Sequence, residues 1–458
     1  MTKSGTNMLA GSIVKGLVSM SIPVMIMNVS QALFSIIDMT VLGNLVNDRA
    51  VGAVGACSML ISLITGLLIG ISTGANVIVA KHIGAGNKRY AEKAIGTSIL
   101  FGLLGGVAMA IIGVVFAELF LKLTNCPDEL LEQAVLYFRI YFAGVPFMML
   151  YNFCASILRA KGNTKMPMLF LVLGGVVKII LNYTLIILFN TSVESVGIAT
   201  VVSFAIAGGL SFIMLLRDDG TEKFRLKYFR LFPKELKKIL IIGIPAGLQT
   251  GMYSFANVII SSVVNSYGPD ATTGISIANQ FDGILYHISC ATAFVTMPYI
   301  AQNMGAKNFK RVKSVLIKSI LVTTAFGASF GALSAIFSGQ LSSLMTDNPV
   351  VIAYSMEKMT IISSTYFICG INEVMCSTMR GLGRPVVPTI ATLIFMCLFR
   401  FVWVYLIYPL CPNFTFLYLV WPVGWICCIA TMLCYYFPTM RKLQRELQPE
   451  KQEYVVLK

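Results

Sequence analysis

Twelve apolar runs alternate with short polar segments along this chain, at about residues 13–43, 51–80, 94–121, 131–158, 166–189, 194–216, 238–266, 272–302, 314–338, 351–379, 386–409 and 415–438. A spanning helix needs roughly 20 apolar residues. Several runs are longer, which implies tilt or extension beyond the hydrocarbon. The pattern predicts an all-α membrane protein of twelve transmembrane helices. The first run is too long for a signal-peptide core and is expected to remain as a span.

The break between the sixth and seventh runs, RDDGTEKFRLKYFRLFPKELKK at 217–238, holds eight Lys/Arg against four acids. It reads as a water-exposed strap, with Phe224, Tyr228, Phe229 and Leu231 expected to rest in the membrane interface. The sequences on its two sides repeat each other. GAGN at 84–87 recurs as GAKN at 305–308, and Arg159, Gly162 and Pro167 recur as Arg380, Gly383 and Pro388, all offset by 221. Ser21-Ile22-Pro23 recurs as Gly243-Ile244-Pro245, offset by 222. Six spans return the chain to its starting side. Two parallel, pseudo-symmetric six-helix lobes are therefore expected, with a cavity at their junction. The divisions are 1–216 for the N-lobe, 217–237 for the connector, 238–440 for the C-lobe and 441–458 for a tail.

Composition narrows the class. The 458 residues are 57% hydrophobic and 12% charged, far below the charge of soluble domains. The net charge of +15 would suggest nucleic acid in a soluble chain, but 29 of the 35 Lys/Arg fall on one side of the predicted bundle. That asymmetry predicts both termini and the connector on the cytoplasmic side of the membrane. No nucleic-acid partner is expected, and a monomer is. Eleven Cys occur without CxxC pairs and read as small buried side chains. GISTG at 70–74 matches a nucleophile-elbow pattern but lies within a span and lacks partners, so no enzyme is expected. Its glycines, with Gly102, Gly105 and Gly106, are better read as close helix contacts. Pro23 and Pro245 sit at matched depths and are expected to free carbonyls and permit bending.

Ionisable groups within spans are costly and so are candidate sites. The first run carries Asn28, Gln31, Ser35 and Asp38 on one helical face, and the eighth repeats the spacing with Asn279, Asp282, Tyr286 and Ser289. The seventh presents Gln249, Tyr253, Asn257 and Ser261 at every fourth position, and the tenth aligns Tyr366, Glu373 and Ser377. Lys178 and Arg400 lie near mid-membrane at near-equivalent repeat positions. A switchable ion pair is expected, released when H⁺ or Na⁺ takes the acid. The preferred pairing is Arg400 with Asp282 or Glu373, and Na⁺ would bind at Asp38 or at Asp282/Glu373. His287 is read as a structural histidine at the cavity wall and His82 as solvated. Glu118, Arg139, Glu357 and Lys358 are read as snorkelling near helix ends.

The stretches SIPVMIMNVSQALFSIIDMTVLG, VAKHIGAGNKRYAEKA, ILRAKGNTKMPM, IAQNMGAKNFKRVK and MRGLGRPVVP resemble the multidrug and toxic compound extrusion (MATE) transporters, across about residues 10 to 435. The resemblance implies two six-helix lobes and outward extrusion of cationic or amphiphilic compounds driven by H⁺ or Na⁺, with no cofactor. Asp38 falls where such transporters place a coupling aspartate, and Asn182 matches an asparagine of their fifth helix. Two positions depart from the pattern. Ile186 stands where an aspartate often follows that asparagine, and Tyr253 where some members carry a glutamate. Asp282, Glu373 and Arg400 look like features of a bacterial subgroup, shifting coupling partly to the second lobe. The alternative is a lipid-linked oligosaccharide flippase of the same broader fold. Its pyrophosphate would call for several cavity cations, and only Lys178 and Arg400 are counted at mid-depth.

Overall fold

The computed structural model describes residues 5–124, 126–218, 220 and 222–447. The tail beyond 447, with Lys3 and Asp219, lies outside the described residues. Among the described residues twelve long helical segments run in order: α1 (Ile13–Leu45), α2 (Asp48–Gly84), α3 (Lys88–Val115), α4 (Asp128–Ala143 continued by Val145–Ala160), α5 (Lys165–Phe189), α6 (Val193–Leu216), α7 (Pro233–Ser266), α8 (Pro269–Gly305), α9 (Phe309–Ile336), α10 (Pro349–Gly381), α11 (Val386–Leu410) and α12 (Phe414–Leu447), all but α7 long and apolar enough to cross a membrane when the bent α4 is taken as one span. Between their end turns helices satisfy the backbone groups internally, which lipid demands. Side chains close several of the exposed ends: Asn47 accepts from the Ala50 amide at 2.8 Å, Asn308 from Arg311 at 3.0 Å and Asn413 from Phe416 at 2.7 Å.

Two spans are not regular. α4 bends by 44° at Gly144, where Pro146 removes a donor from the ladder. α11 contains two π-helical turns, Leu393–Leu398 and Trp403–Ile407, flanking the four-residue α segment Phe399–Val402. Pro23 and Pro245, by contrast, lie inside continuous helices. The Pro245 carbonyl accepts the Thr389 hydroxyl at 3.1 Å.

The repeat is preserved down to the backbone. Gly86 and Lys307 occupy the third position of the two GAxN turns, with φ of 67° and 57°. Gly162 and Gly383 match in the same way, at 83° and 79°. α1–α6 pack among themselves, as do α7–α12, and the lobes meet through α2 on α7 and through α8 on α1 and α2.

That seam is made of small residues. A Cβ at Gly70 would lie 2.2 Å from the Gly247 Cα, at Gly74 2.1 Å from the Ile239 carbonyl, and at Gly243 2.6 Å from the Ile71 carbonyl. The backbones therefore touch, as small-residue crossings in membranes allow. Gly102 and Gly106 likewise meet Phe153 and Pro146, whereas Gly105, expected to do so, has nothing within 4 Å.

The seam closes one end of the molecule. Residues 72–80 of α2 and 295–304 of α8 are buried without interruption, while Gly55, Ser58 and Ser62 of α2 and Asn279 and Gly283 of α8 are exposed at the other end. At the closed end, Gln302 donates to the Ala160 carbonyl at 2.7 Å, joining the lobes. The segment 5–12 adds a tie: the Thr6 amide donates to Gly162, and Arg311 donates to the carbonyls of Met8, Ala10 and Gly11 at 2.9–3.1 Å.

The connector lies at this same end. It packs on α3 rather than floating in water. Arg225 pairs with buried Glu92 at 2.9 Å, and the Phe232 amide donates to Thr97. Phe224, expected in the interface, is buried against Phe212 and Phe229. Leu226 and Leu231 remain exposed.

Candidate functional site

Each lobe encloses a cavity, and repeat-related positions line both. The larger, about 540 Å³, lies in the C-lobe among α7, α8, α10, α11 and α12. α7 presents Tyr253 and Asn257 one turn apart, and α8 presents Asn279, Asp282 and Tyr286 on one face with His287 beside it. α10 contributes a stripe from Lys358 through Ile362, Tyr366 and Cys369 to Glu373. Aromatic rings complete the wall. Trp421 stacks on Tyr418 at 5.3 Å, Trp425 lies 6.0 Å from Tyr366, and the Tyr286 ring stands edge-on to His287.

Four ionisable side chains in this wall carry formal charges that sum to zero, but only two of them pair. Lys358 Nζ lies 2.7 Å from Asp282 Oδ2 and also donates to Asn279. Asp282 Oδ1 is buried without a hydrogen-bond partner among the described residues. Glu373 accepts the Tyr253 hydroxyl at 3.3 Å. Arg400, 2% exposed, donates from Nη1 to Asn257 at 2.7 Å, and its guanidinium carbon lies 4.7 Å from the Trp421 ring centre. Removing a charge from water costs several kcal/mol unless partners replace the hydration. A neutral amide and an indole face give Arg400 partial replacement.

The N-lobe cavity is smaller, about 250 Å³, and includes Gln31, Ser35, Asp38, Ser58, Ser62, Tyr137 and Lys178. Lys178 Nζ lies 2.5 Å from Asp38 Oδ2, and Asn182 donates to Asp38 Oδ1 at 3.4 Å. The two lobes thus place their ion pairs on different elements. Offset by 222, Asp38 corresponds to Ile260 and Lys178 to Arg400; offset by 221, Asp282 corresponds to Ile61 and Lys358 to Tyr137. Duplicated positions kept the cavity and exchanged its charges.

Several expected roles change. Arg400 pairs with neither Asp282 nor Glu373, because Lys358 holds Asp282 from the facing stripe of α10. Lys358 does not snorkel: it is 4% exposed and seven residues beyond the start of the tenth apolar run, about 10 Å along the helix. Asn28 and Gln249 are buried and line neither cavity. Gln249 donates to Thr392 at 2.8 Å and accepts from Arg380, which makes it a strut between α7, α10 and α11. Asn182 serves Asp38 instead of facing open space. His82 is not solvated: its ring lies 2.9 Å from Glu235, tying α2 to α7. Gln31, Tyr253, Asn257, Tyr286 and His287 do line the cavities. Among the described residues no group of three His, Cys, Asp or Glu could hold a metal ion.

The MatE family profile matches residues 23–184 and again 245–406, two blocks offset by 222 that fall one in each lobe. The chain belongs to the MatE family. It is a multi-pass membrane transporter. Among MATE relatives, the probable multidrug resistance protein YoeA of Bacillus subtilis (strain 168) is 28% identical over 381 residues, spanning 81% of this chain and 82% of that one. The probable multidrug resistance protein YpnP of the same organism is 27% identical, spanning 85% and 87%. A solved outward-facing MATE transporter of the MOP superfamily superposes with a TM-score of 0.87 at 20% identity, covering 97% of this chain and 100% of that one. At that identity the superposition speaks for the fold.

Proposed function

We propose that this MATE transporter is a multidrug efflux antiporter, exporting amphiphilic and cationic aromatic compounds in exchange for H⁺ or Na⁺. The observation that carries the reading is the C-lobe cavity: aromatic walls, two carboxylates and an opening at the end opposite the connector. Apolar walls with a few convergent polar groups suit planar lipophilic ligands. The names borne by YoeA and YpnP support the same reading. With the basic connector in the cytoplasm of a bacterial inner membrane, the closed seam faces inward and the cavity outward.

Coupling would run through Asp38. A proton or Na⁺ on its carboxylate weakens the Lys178 pair and so changes the relative free energies of the outward and inward states. A ligand shifts that equilibrium only by its differential affinity for the two. No resident cofactor is needed, and one chain suffices. A flippase reading gains nothing from the geometry: Lys178 and Lys358 are already neutralised, leaving Arg400 as the cavity cation without an acid among the described residues.

The test is uptake of an ethidium-like dye into proteoliposomes under separately imposed pH and Na⁺ gradients. Dye movement that follows one of the gradients is expected. Movement under neither gradient overturns the antiport.

A further inference from the structure

We infer that Arg311 is a positioning residue for the gate at the connector end: it pins segment 5–12 across the seam as a latch, and the lobes part there only when the latch is released. The inference needs the closed seam to open during transport and is independent of the coupling ion and the substrate.

Segment 5–12 precedes α1 and has no helix or strand of its own. Both of its ends belong to the N-lobe. Ser12 caps α1, and the Thr6 amide donates at 3.0 Å to the carbonyl of Gly162, in the turn between α4 and α5. Its middle is held by the C-lobe. Met8 is 1% exposed, and its carbonyl accepts from Asn303 of α8 at 3.1 Å and from Arg311 Nε of α9 at 3.0 Å. Arg311 Nη2 donates to the carbonyls of Ala10 and Gly11. A segment fixed to one lobe at both ends and to the other in its middle keeps the middle contacts only while the seam is closed. An interaction made in one of two states shifts their equilibrium by its full strength. Hydrogen bonds from a charged donor are the strong ones, so Arg311 supplies most of the hold.

The repeat shows that the segment is a built element. Offset by 221, residues 5–12 correspond to 226–233 of the connector and the start of α7. That stretch lies on α3, where the Thr97 hydroxyl donates to the Arg230 carbonyl at 3.3 Å and accepts from the Phe232 amide at 3.2 Å. α9 is the repeat of α3. The lead-in to each lobe thus crosses to the third helix of the other. The anchors differ: position 311 corresponds to Tyr90 in α3, so the arginine belongs to the latch on α9 alone.

The test uses purified full-length protein in detergent, in a background without the native cysteines, and reads the rate of N-ethylmaleimide labelling at one introduced thiol. Ser21→Cys reports the seam, where Ser21 is buried, and Ser58→Cys reports the opposite end, where Ser58 is exposed in the N-lobe cavity. Arg311→Gln should raise labelling at position 21 about tenfold, the worth of one hydrogen bond to a charged group, and lower it at position 58. Arg311→Lys should recover part of both changes. Gly162→Ala and Gly383→Ala form a matched pair. Both backbones are left-handed, but a Cβ on Gly162 strikes the Thr6 carbonyl while one on Gly383 meets nothing within 4 Å. Gly162→Ala should therefore raise labelling at position 21, and Gly383→Ala should not. This pair keeps the test decisive if Arg311→Gln aggregates on size exclusion. Unchanged labelling in Arg311→Gln, equal rates in the two alanine variants, or parallel rises at positions 21 and 58 overturn the inference, the last because it marks general loosening instead of a change of state. Dye flux is read separately, and its absence sinks the antiport reading while leaving the latch standing.

Discussion

Gly84 and Gly305 each rest against the other's helix. A Cβ on Gly84 would lie 1.9 Å from the Gln302 carbonyl oxygen, and one on Gly305 would lie 2.1 Å from that of Lys81. These are the first residues of the two GAxN turns, so the pseudo-two-fold axis passes between them. Overpacking a tight contact costs about 1–3 kcal/mol, and more where the obstacle is backbone. Gly84→Leu and Gly305→Leu should each lower the melting temperature in detergent and impair dye export. Gly105→Ala, which meets nothing, should leave both as they are. Native-like stability and export in both leucine variants would show the crossing to be slack.

The Asp38–Lys178 pair makes a different prediction. Breaking a buried pair from one side leaves an uncompensated charge, at a cost of about 3–5 kcal/mol, whereas removing both sides is much milder. Asp38→Asn and Lys178→Met should each destabilise the protein, and the double variant should recover most of that loss. Export should stay absent in all three, since the carboxylate that takes the coupling ion or its partner is gone. Thermal stability and drug resistance in a sensitised host check both halves. Full resistance from Asp38→Asn would remove this residue from coupling.

Lys358 neutralises Asp282 inside the ligand cavity, so the two substitutions should act in opposite senses on a monocationic dye. Asp282→Asn leaves the lysine as a bare cation. At roughly 7 Å and an effective dielectric of about 20 the repulsion is about 2 kcal/mol, or more than tenfold in affinity. Lys358→Met should tighten the same dye. Fluorescence titration at low and high salt measures both, with the difference shrinking as salt rises. Equal shifts of one sign would mean that the pair acts only in packing.

Much of this architecture could be read from hydropathy, because lipid leaves the backbone few options. Twelve spans, the repeat and the small-residue contacts at Gly70 and Gly74 all came from that constraint. Helix ends did not. α3 begins at Lys88 and α9 at Phe309, several residues before their apolar runs, since charged first turns are helical but not oily. The partner of Asp282 was also missed, although a signal was present. The α10 stripe of Tyr366 and Glu373, carried back two turns, passes through Ile362 to Lys358. Pairing by lobe and depth favoured Arg400 instead, because neither criterion carries azimuth around the helix. The π turns of α11 left no mark in the pattern, and they decide where Arg400 points.

Passage from the outward to the inward state requires the two lobes to part at the connector end, where the seam is closed. Ser21 on α1 and Thr292 on α8 offer the most direct probe, with hydroxyl oxygens 3.3 Å apart across the seam. Cysteines at both positions, in a background without the native cysteines, are close enough to form a disulfide on oxidation. Dye transport by the cross-linked protein should stop and should return on reduction with dithiothreitol. Undiminished transport with the cross-link fully formed would contradict the account.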